Sequence, residues 1–218
     1  MKEYIKMVYR GGEGEIVEKK SRFIATVRPV STEEEAVLFI EEMKKKYWDA
    51  RHNCYAFSVG KEQEVLRFSD DGEPGGTAGK PILEVITGQK LHDVAVVVTR
   101  YFGGTLLGTG GLVRAYTAAT QAGLANSLVV EQKLAKLFKI TTDYTDIGKL
   151  QYLFASEQID VVNTSYEAEV EVQLVIPVAE IPRIEKQITE VTSARALMDI
   201  GDECYYFKLE DECIILPI

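Results

Sequence analysis

The sequence predicts an α+β fold in two domains, residues 1–130 and 131–218, and three observations lead there. Strand-like and helix-like runs alternate along the whole chain, so neither an all-helical nor an all-strand fold accommodates it. Glycine is concentrated in the first part, which holds 15 of the 17, leaving only Gly148 and Gly201 in the second. Charge divides at the same place: residues 1–130 carry 17 basic and 17 acidic side chains, residues 131–218 carry 8 and 17. A length of 218 residues suits one large domain or two small ones of roughly 100–150 residues each.

The elements follow in order. Residues 14–30 read as extended, with Phe23, Ala25 and Val27 alternating against Arg22, Thr26 and Arg28 until Pro29 stops the run. Ser31 with Glu34 forms a candidate capping box for a helix whose apolar face is Ala36, Val37, Ile40, Met43 and Tyr47. That helix opens on Glu33-Glu34-Glu35 and closes on Lys44-Lys45-Lys46, the charge order a helix dipole favours. Residues 53–59 and 64–68 predict two strands around Gly60-Lys61. A polar glycine-rich stretch, Ser69–Lys80, leads into a helix over Pro81–Thr87. The β-branched run Val94–Val98 predicts a strand buried on both faces. Gly103–Gly111 reads as a loop and Leu112–Leu124 as a helix rich in small residues, and Asn126–Lys133 as a short linker.

The second part predicts a strand over Leu134–Thr141, a helix over Asp146–Gln158 and strand-rich residues 161–176. A second amphipathic helix is marked by Ile181, Ile184, Ile188 and Val191, and a last strand lies within Ala196–Glu210. A hairpin within 161–176 makes the order βαββαβ, the split βαβ of ferredoxin-like folds, although no Gly, Pro or Asn-Gly marks its turn.

Composition narrows the function classes. A hydrophobic fraction of 46% and a charged fraction of 27% are those of a soluble globular protein. No apolar run approaches the ~18 residues that span a bilayer, and the charged start Met1–Lys6 does not resemble a secretory leader. Three widely spaced cysteines, Cys54, Cys204 and Cys213, suit reduced thiols in the cytoplasm better than a disulfide framework. The acidic second part should repel polyanions, so chemistry is expected in the first.

Three groups there can carry it. In Val94–Arg114 a buried strand ends, glycines free the backbone and a helix begins, an arrangement that exposes N–H groups to an anion. The candidate anion-binding residues are Arg100, Gly103, Gly104, Thr109, Gly110, Gly111 and Arg114; the alternative is that the glycines only allow a tight crossover. Gly110-Gly111 is followed by Leu112 rather than Lys-Ser/Thr, and Val113 stands where a dinucleotide turn needs its third glycine. Asp70, Asp71 and Glu73 place three carboxylates on one loop, suited either to a general base or Mg²⁺ or to turn formation. His52 and Cys54, two apart on a strand, face the same way and offer a nucleophile pair or ordinary packing. They are too few for a zinc site, and neither a metal nor a cofactor is expected.

Four ordered segments together resemble the YigZ/IMPACT family: Ser21–Ala25, His52–Ala56, Asp70–Pro74 with Gly76–Gly79, and Thr99–Gly104 with Leu107–Arg114. The resemblance implies an N-terminal domain like the second domain of a small-subunit ribosomal protein, a fold also found in GHMP kinases. It implies a C-terminal ferredoxin-like domain similar to the late domains of elongation factor G. Function follows as an expectation: a non-enzymatic, cytoplasmic regulator associated with translation and stress that binds ribosome, RNA or a translation factor, with no DNA or membrane partner. The alternative is a hydrolase of phosphate esters or nucleotides using the acidic and glycine-rich loops.

Overall fold

A computed structural model describes residues 4–60, 63–210 and 212–217. Lys61, expected in a turn, and the first three residues of the charged start lie outside the described residues. The described residues form two compact units, one of residues 5–131 and one that begins at Gln132 and includes Tyr4.

The first unit is built on strands β2 (Glu13–Glu18), β3 (Ser21–Pro29), β4 (His52–Val59), β5 (Val65–Ser69) and β7 (Val94–Tyr101). Their order is β2-β3-β7-β4-β5, every pair antiparallel. Since β3 and β4 both run against β7, they are parallel to each other, joined by helix α1 (Glu33–Lys46) across one face. Helices α2 (Gly79–Gly88) and α3 (Thr109–Ala125) cover the other. The run Val94–Val98 is buried on both faces as expected. Val94, Val96 and Val98 enter a core with Phe23, Cys54, Ile82 and Tyr116, while Ala95 and Val97 enter one with Phe39, Met43 and Phe57. A short parallel pair sets β1 (Tyr4–Arg10) against β6 (Leu91–His92).

Several local expectations shift. The region 14–30 is a hairpin, not one strand: Lys19 and Lys20 make its turn, both left-handed at φ 45° and 66°. Paired left-handed residues match the twist of a two-residue hairpin, normally filled by Asn or Gly. The cap of α1 moves one residue on: Thr32 Oγ1 accepts from Glu35 N at 3.2 Å, and the Glu35 carboxylate accepts from Ser31 N at 2.6 Å. Its buried face is then Ala36, Phe39, Ile40 and Met43, with Val37 exposed.

The second unit contains β8 (Leu128–Thr142) from Gln132 onward, α4 (Ile147–Ser156), β9 (Asp160–Tyr166), β10 (Val170–Pro177), α5 (Ile181–Thr192), β11 (Leu197–Leu209) and β12 (Glu212–Pro217). The segment expected as a linker, Asn126–Lys133, is largely the start of β8. The βαββαβ order is present, with β9 and β10 turning through Glu167–Glu169, where Glu167 N donates to Glu169 O at 3.1 Å. Helix faces Leu150, Phe154, Ile184 and Ile188 pack on Phe138, Ile140, Val172 and Leu174. Asp146, fully buried ahead of α4, accepts from Lys149 Nζ at 2.9 Å and from Arg195, tying the start of α4 to the end of α5.

Candidate functional site

The sheet of the first unit gathers most of the expected site residues. In the register of β7, Arg100 stands opposite Phe23 on β3 and His52 on β4. Its parity with Val98 and Val96 sends its side chain to the α2–α3 face, where Cys54 also points. Arg100 Nη1 donates to Glu73 Oε1 at 2.6 Å, and both residues are buried, at 6% and 9% exposure. The same carboxylate oxygen accepts from Tyr116 Oη at 2.9 Å. Cys54 Sγ lies 3.3 Å from that hydroxyl and 2.9 Å from the Asp70 main-chain oxygen. The acidic loop, β4, β7 and α3 are therefore joined by one buried polar chain, in which Arg100 Nε has no hydrogen-bond partner among the described residues.

Each carboxylate of the acidic loop accepts hydrogen bonds from within the first unit. Asp70 accepts from Gly76 N at 2.8 Å, Ala78 N at 3.0 Å and Gly79 N at 2.8 Å, closing the glycine-rich loop and holding the first turn of α2. Partial burial pushes its carboxyl up, but these three N–H groups outweigh that and hold it below the usual carboxylate range. Asp71, left-handed at φ 42°, accepts from Asn53 N at 2.7 Å and from Lys44 Nζ at 3.0 Å. His52 and Cys54 share a face as expected but do not bond each other: His52 Nδ1 lies 2.9 Å from the Asp71 main-chain oxygen. Burial pushes the Cys54 thiol far up, with the nearby carboxylates adding to it and the Tyr116 hydrogen bond opposing it, so it is a poor nucleophile. Among the described residues, no group of three or more His, Cys, Asp or Glu side chains is arranged to hold a metal ion.

The glycine-rich segment splits in two. Gly103 N donates to Ser21 Oγ at 3.1 Å, and a Cβ at Gly103 would stand 2.0 Å from the main-chain carbon of Lys20. Only glycine lets this loop lie directly on the Lys19-Lys20 turn. Gly104, at φ 85°, faces open space. Thr109, Gly110 and Gly111, expected as loop, form the first turn of α3, which no side chain caps. Arg114 is exposed, its Nη1 3.7 Å from where a Gly110 Cβ would be.

Sequence reasoning missed three contributors. Tyr116 was hidden in a helix read only as small-residue-rich; a lone tyrosine among alanines was the available signal. Phe102 is 51% exposed, with the Arg100 guanidinium 5.6 Å from its ring centroid. Lys19 and Lys20 gave no signal, because nothing in Glu18-Lys19-Lys20-Ser21 marks a tight turn.

The segment that carries these residues matches a known domain. Residues 19–124 match the Impact N-terminal domain, and residues 140–195 match a domain of unknown function (DUF1949). The chain belongs to the IMPACT family. It is 41% identical over 201 residues to the IMPACT family member YvyE of Bacillus subtilis, covering 92% of this chain and 93% of that one. The IMPACT family member YigZ of Escherichia coli is 33% identical, over 79% of this chain and 85% of its own. Protein IMPACT of Mus musculus is 34% identical over 96 residues, which are 43% of this chain and 30% of that protein. A crystal structure described as that of a hypothetical protein superposes with a TM-score of 0.58 at 29% identity, covering 97% of this chain and all of the other. No helix among the described residues is long and apolar enough to cross a membrane.

Proposed function

We propose that the chain is a non-enzymatic, translation-associated regulator that binds RNA, on its own or in the ribosome, through the end of the first sheet where β7 finishes. The observation that carries this reading is the Lys19-Lys20 turn. Two lysines occupy left-handed positions that cost of order 1 kcal/mol each and that Asn or Gly fills more easily. Gly103 docks the exposed loop against them. Four exposed cations, Lys19, Lys20, Arg51 and Arg114, make no ion pair among the described residues. Arg22, Arg28, Lys44 and Lys46, by contrast, are each matched to a carboxylate. Unmatched cations at one end of a sheet are what a phosphate backbone neutralises.

The hydrolytic alternative finds less support. Asp70, Asp71 and Glu73 each accept hydrogen bonds that hold the loop itself, and none is left as a base. Two fold likenesses accompany the reading. The order β11-β8-β10-β9 with crossovers α4 and α5 favours a ferredoxin-like second unit of the kind found late in elongation factor G. The β3-α1-β4 crossover around β7 favours the ribosomal-protein likeness of the first. We assign the protein to the cytoplasm, where the free thiols Cys54, Cys204 and Cys213 would persist.

Fluorescence anisotropy with a labelled RNA oligonucleotide tests the reading. Wild type should bind in a salt-dependent manner, and Lys19→Glu with Lys20→Glu should weaken binding at least tenfold without loss of folding. Equal binding by the double variant removes the turn from the interface.

A further inference from the structure

Exposed cations recognise any phosphate backbone, duplex or single strand. The residue that distinguishes the two is Phe102. Its ring is half exposed, at the point where β7 gives way to the glycine loop beside the Lys19-Lys20 turn. Phe102 is also supported from within. The Arg100 guanidinium lies 5.6 Å from the Phe102 centroid and 5.4 Å from that of Phe23, which is fully buried and itself packs edge-on against Tyr116 at 5.1 Å. A guanidinium is planar and stacks on rings, so Arg100 links the core ring to the surface ring. Its Nη1 is fixed by Glu73, while its buried Nε has no hydrogen-bond partner among the described residues, so ring contacts help set the plane of the group. The buried polar chain of the first unit therefore ends in a surface aromatic ring, with cations beside it.

A duplex offers such a ring little, because its base faces are already stacked on one another. A single strand has bases free to stack on an aromatic side chain. We infer that the ligand is single-stranded RNA, one base of which stacks on the outward face of Phe102 while the Lys19-Lys20 turn takes the adjoining phosphates. Arg100 acts as a positioning residue that orients the ring. The inference rests on the RNA-binding reading and adds the strand state of the ligand.

Anisotropy titrations with a twelve-nucleotide single strand and the matching blunt duplex test it. Wild type should bind the single strand about tenfold more tightly than the duplex. Phe102→Ala should lose about tenfold on the single strand and stay within twofold on the duplex, with the salt dependence of both unchanged. Phe102→Trp should keep the preference. Arg100→Lys, which keeps the charge but not the plane, should lose part of it, with thermal unfolding recorded for each variant. A wild type that favours duplex, or a Phe102→Ala variant that holds the single strand as wild type does, overturns the inference and leaves the RNA reading standing. A wild type that binds neither form overturns both.

Discussion

Glu73 and Arg100 meet through a 2.6 Å hydrogen bond with both side chains withdrawn from solvent, joining a glycine-rich loop to the last turn of the central strand. A buried pair of this kind is costly to break from one side, because the remaining charge is stranded. Glu73→Ala or Arg100→Ala should each destabilise by about 3–5 kcal/mol. Removing both with apolar residues of similar volume, Glu73→Leu with Arg100→Met, should cost clearly less than the sum. Urea unfolding of the four proteins measures this; additive losses would mean that the pair is not coupled.

Asp70 gives a pH signature. Its folded carboxyl is held below its usual range, so the stability it contributes is fully present above the unfolded value of about 3.9. That stability is lost as pH falls through the lowered folded value. Asp70→Asn should therefore flatten the fall in the urea midpoint below about pH 4, and Asp70→Ala should cost about 1–2 kcal/mol at pH 7 through lost acceptors for Gly76, Ala78 and Gly79.

Cys54 should resist chemistry in the native state. Burial holds its thiol protonated far above neutrality, so iodoacetamide at pH 8 should leave it unmodified until denaturant is added. Mass spectrometry of alkylated peptides reads this directly, and prompt native labelling of Cys54 would reopen the nucleophile reading.

How much of this was legible in the chain depends on the range of each interaction. The β7 strand and the helices are legible because apolar periodicity is a local property, and the family resemblance rests on four short ordered segments. The Glu73–Arg100–Tyr116 junction was not visible, since its members are 27 and 43 residues apart in sequence and are brought together only by the sheet. The Lys19-Lys20 turn, inside a run read as extended, and the Glu167–Glu169 turn, whose hairpin is expected but whose place is unmarked, use residues without turn chemistry of their own; strand pairing on either side imposes them. The cap of α1 lies one residue on from Ser31 because Ser31 and Thr32 both carry an N-cap hydroxyl, and it is Thr32 that accepts from Glu35 N. The carboxylate triplet suits either a general base or turn formation in sequence, and the main-chain N–H partners of Asp70 and Asp71 come into view only in the fold.

Gly103 and Gly104 separate space from conformation. Gly103→Ala drives a methyl into the Lys20 backbone, so it should displace the hairpin turn and weaken both folding and RNA binding. Gly104→Ala meets no atoms and should cost only the left-handed strain, about 1 kcal/mol, with binding retained. Amide exchange at Lys19–Ser21 would report the displacement, and the reverse ranking of the two variants would contradict it.

Neutralisation of phosphates by the Lys19-Lys20 turn is read from the salt dependence of RNA affinity. Kd for a single-stranded oligonucleotide, followed from 50 to 200 mM salt, should give a linear log–log plot. Lys19→Gln with Lys20→Gln should reduce its slope by about 1.4, the value for two phosphate contacts on a single strand. An unchanged slope, or a wild-type affinity that does not respond to salt, would contradict the account.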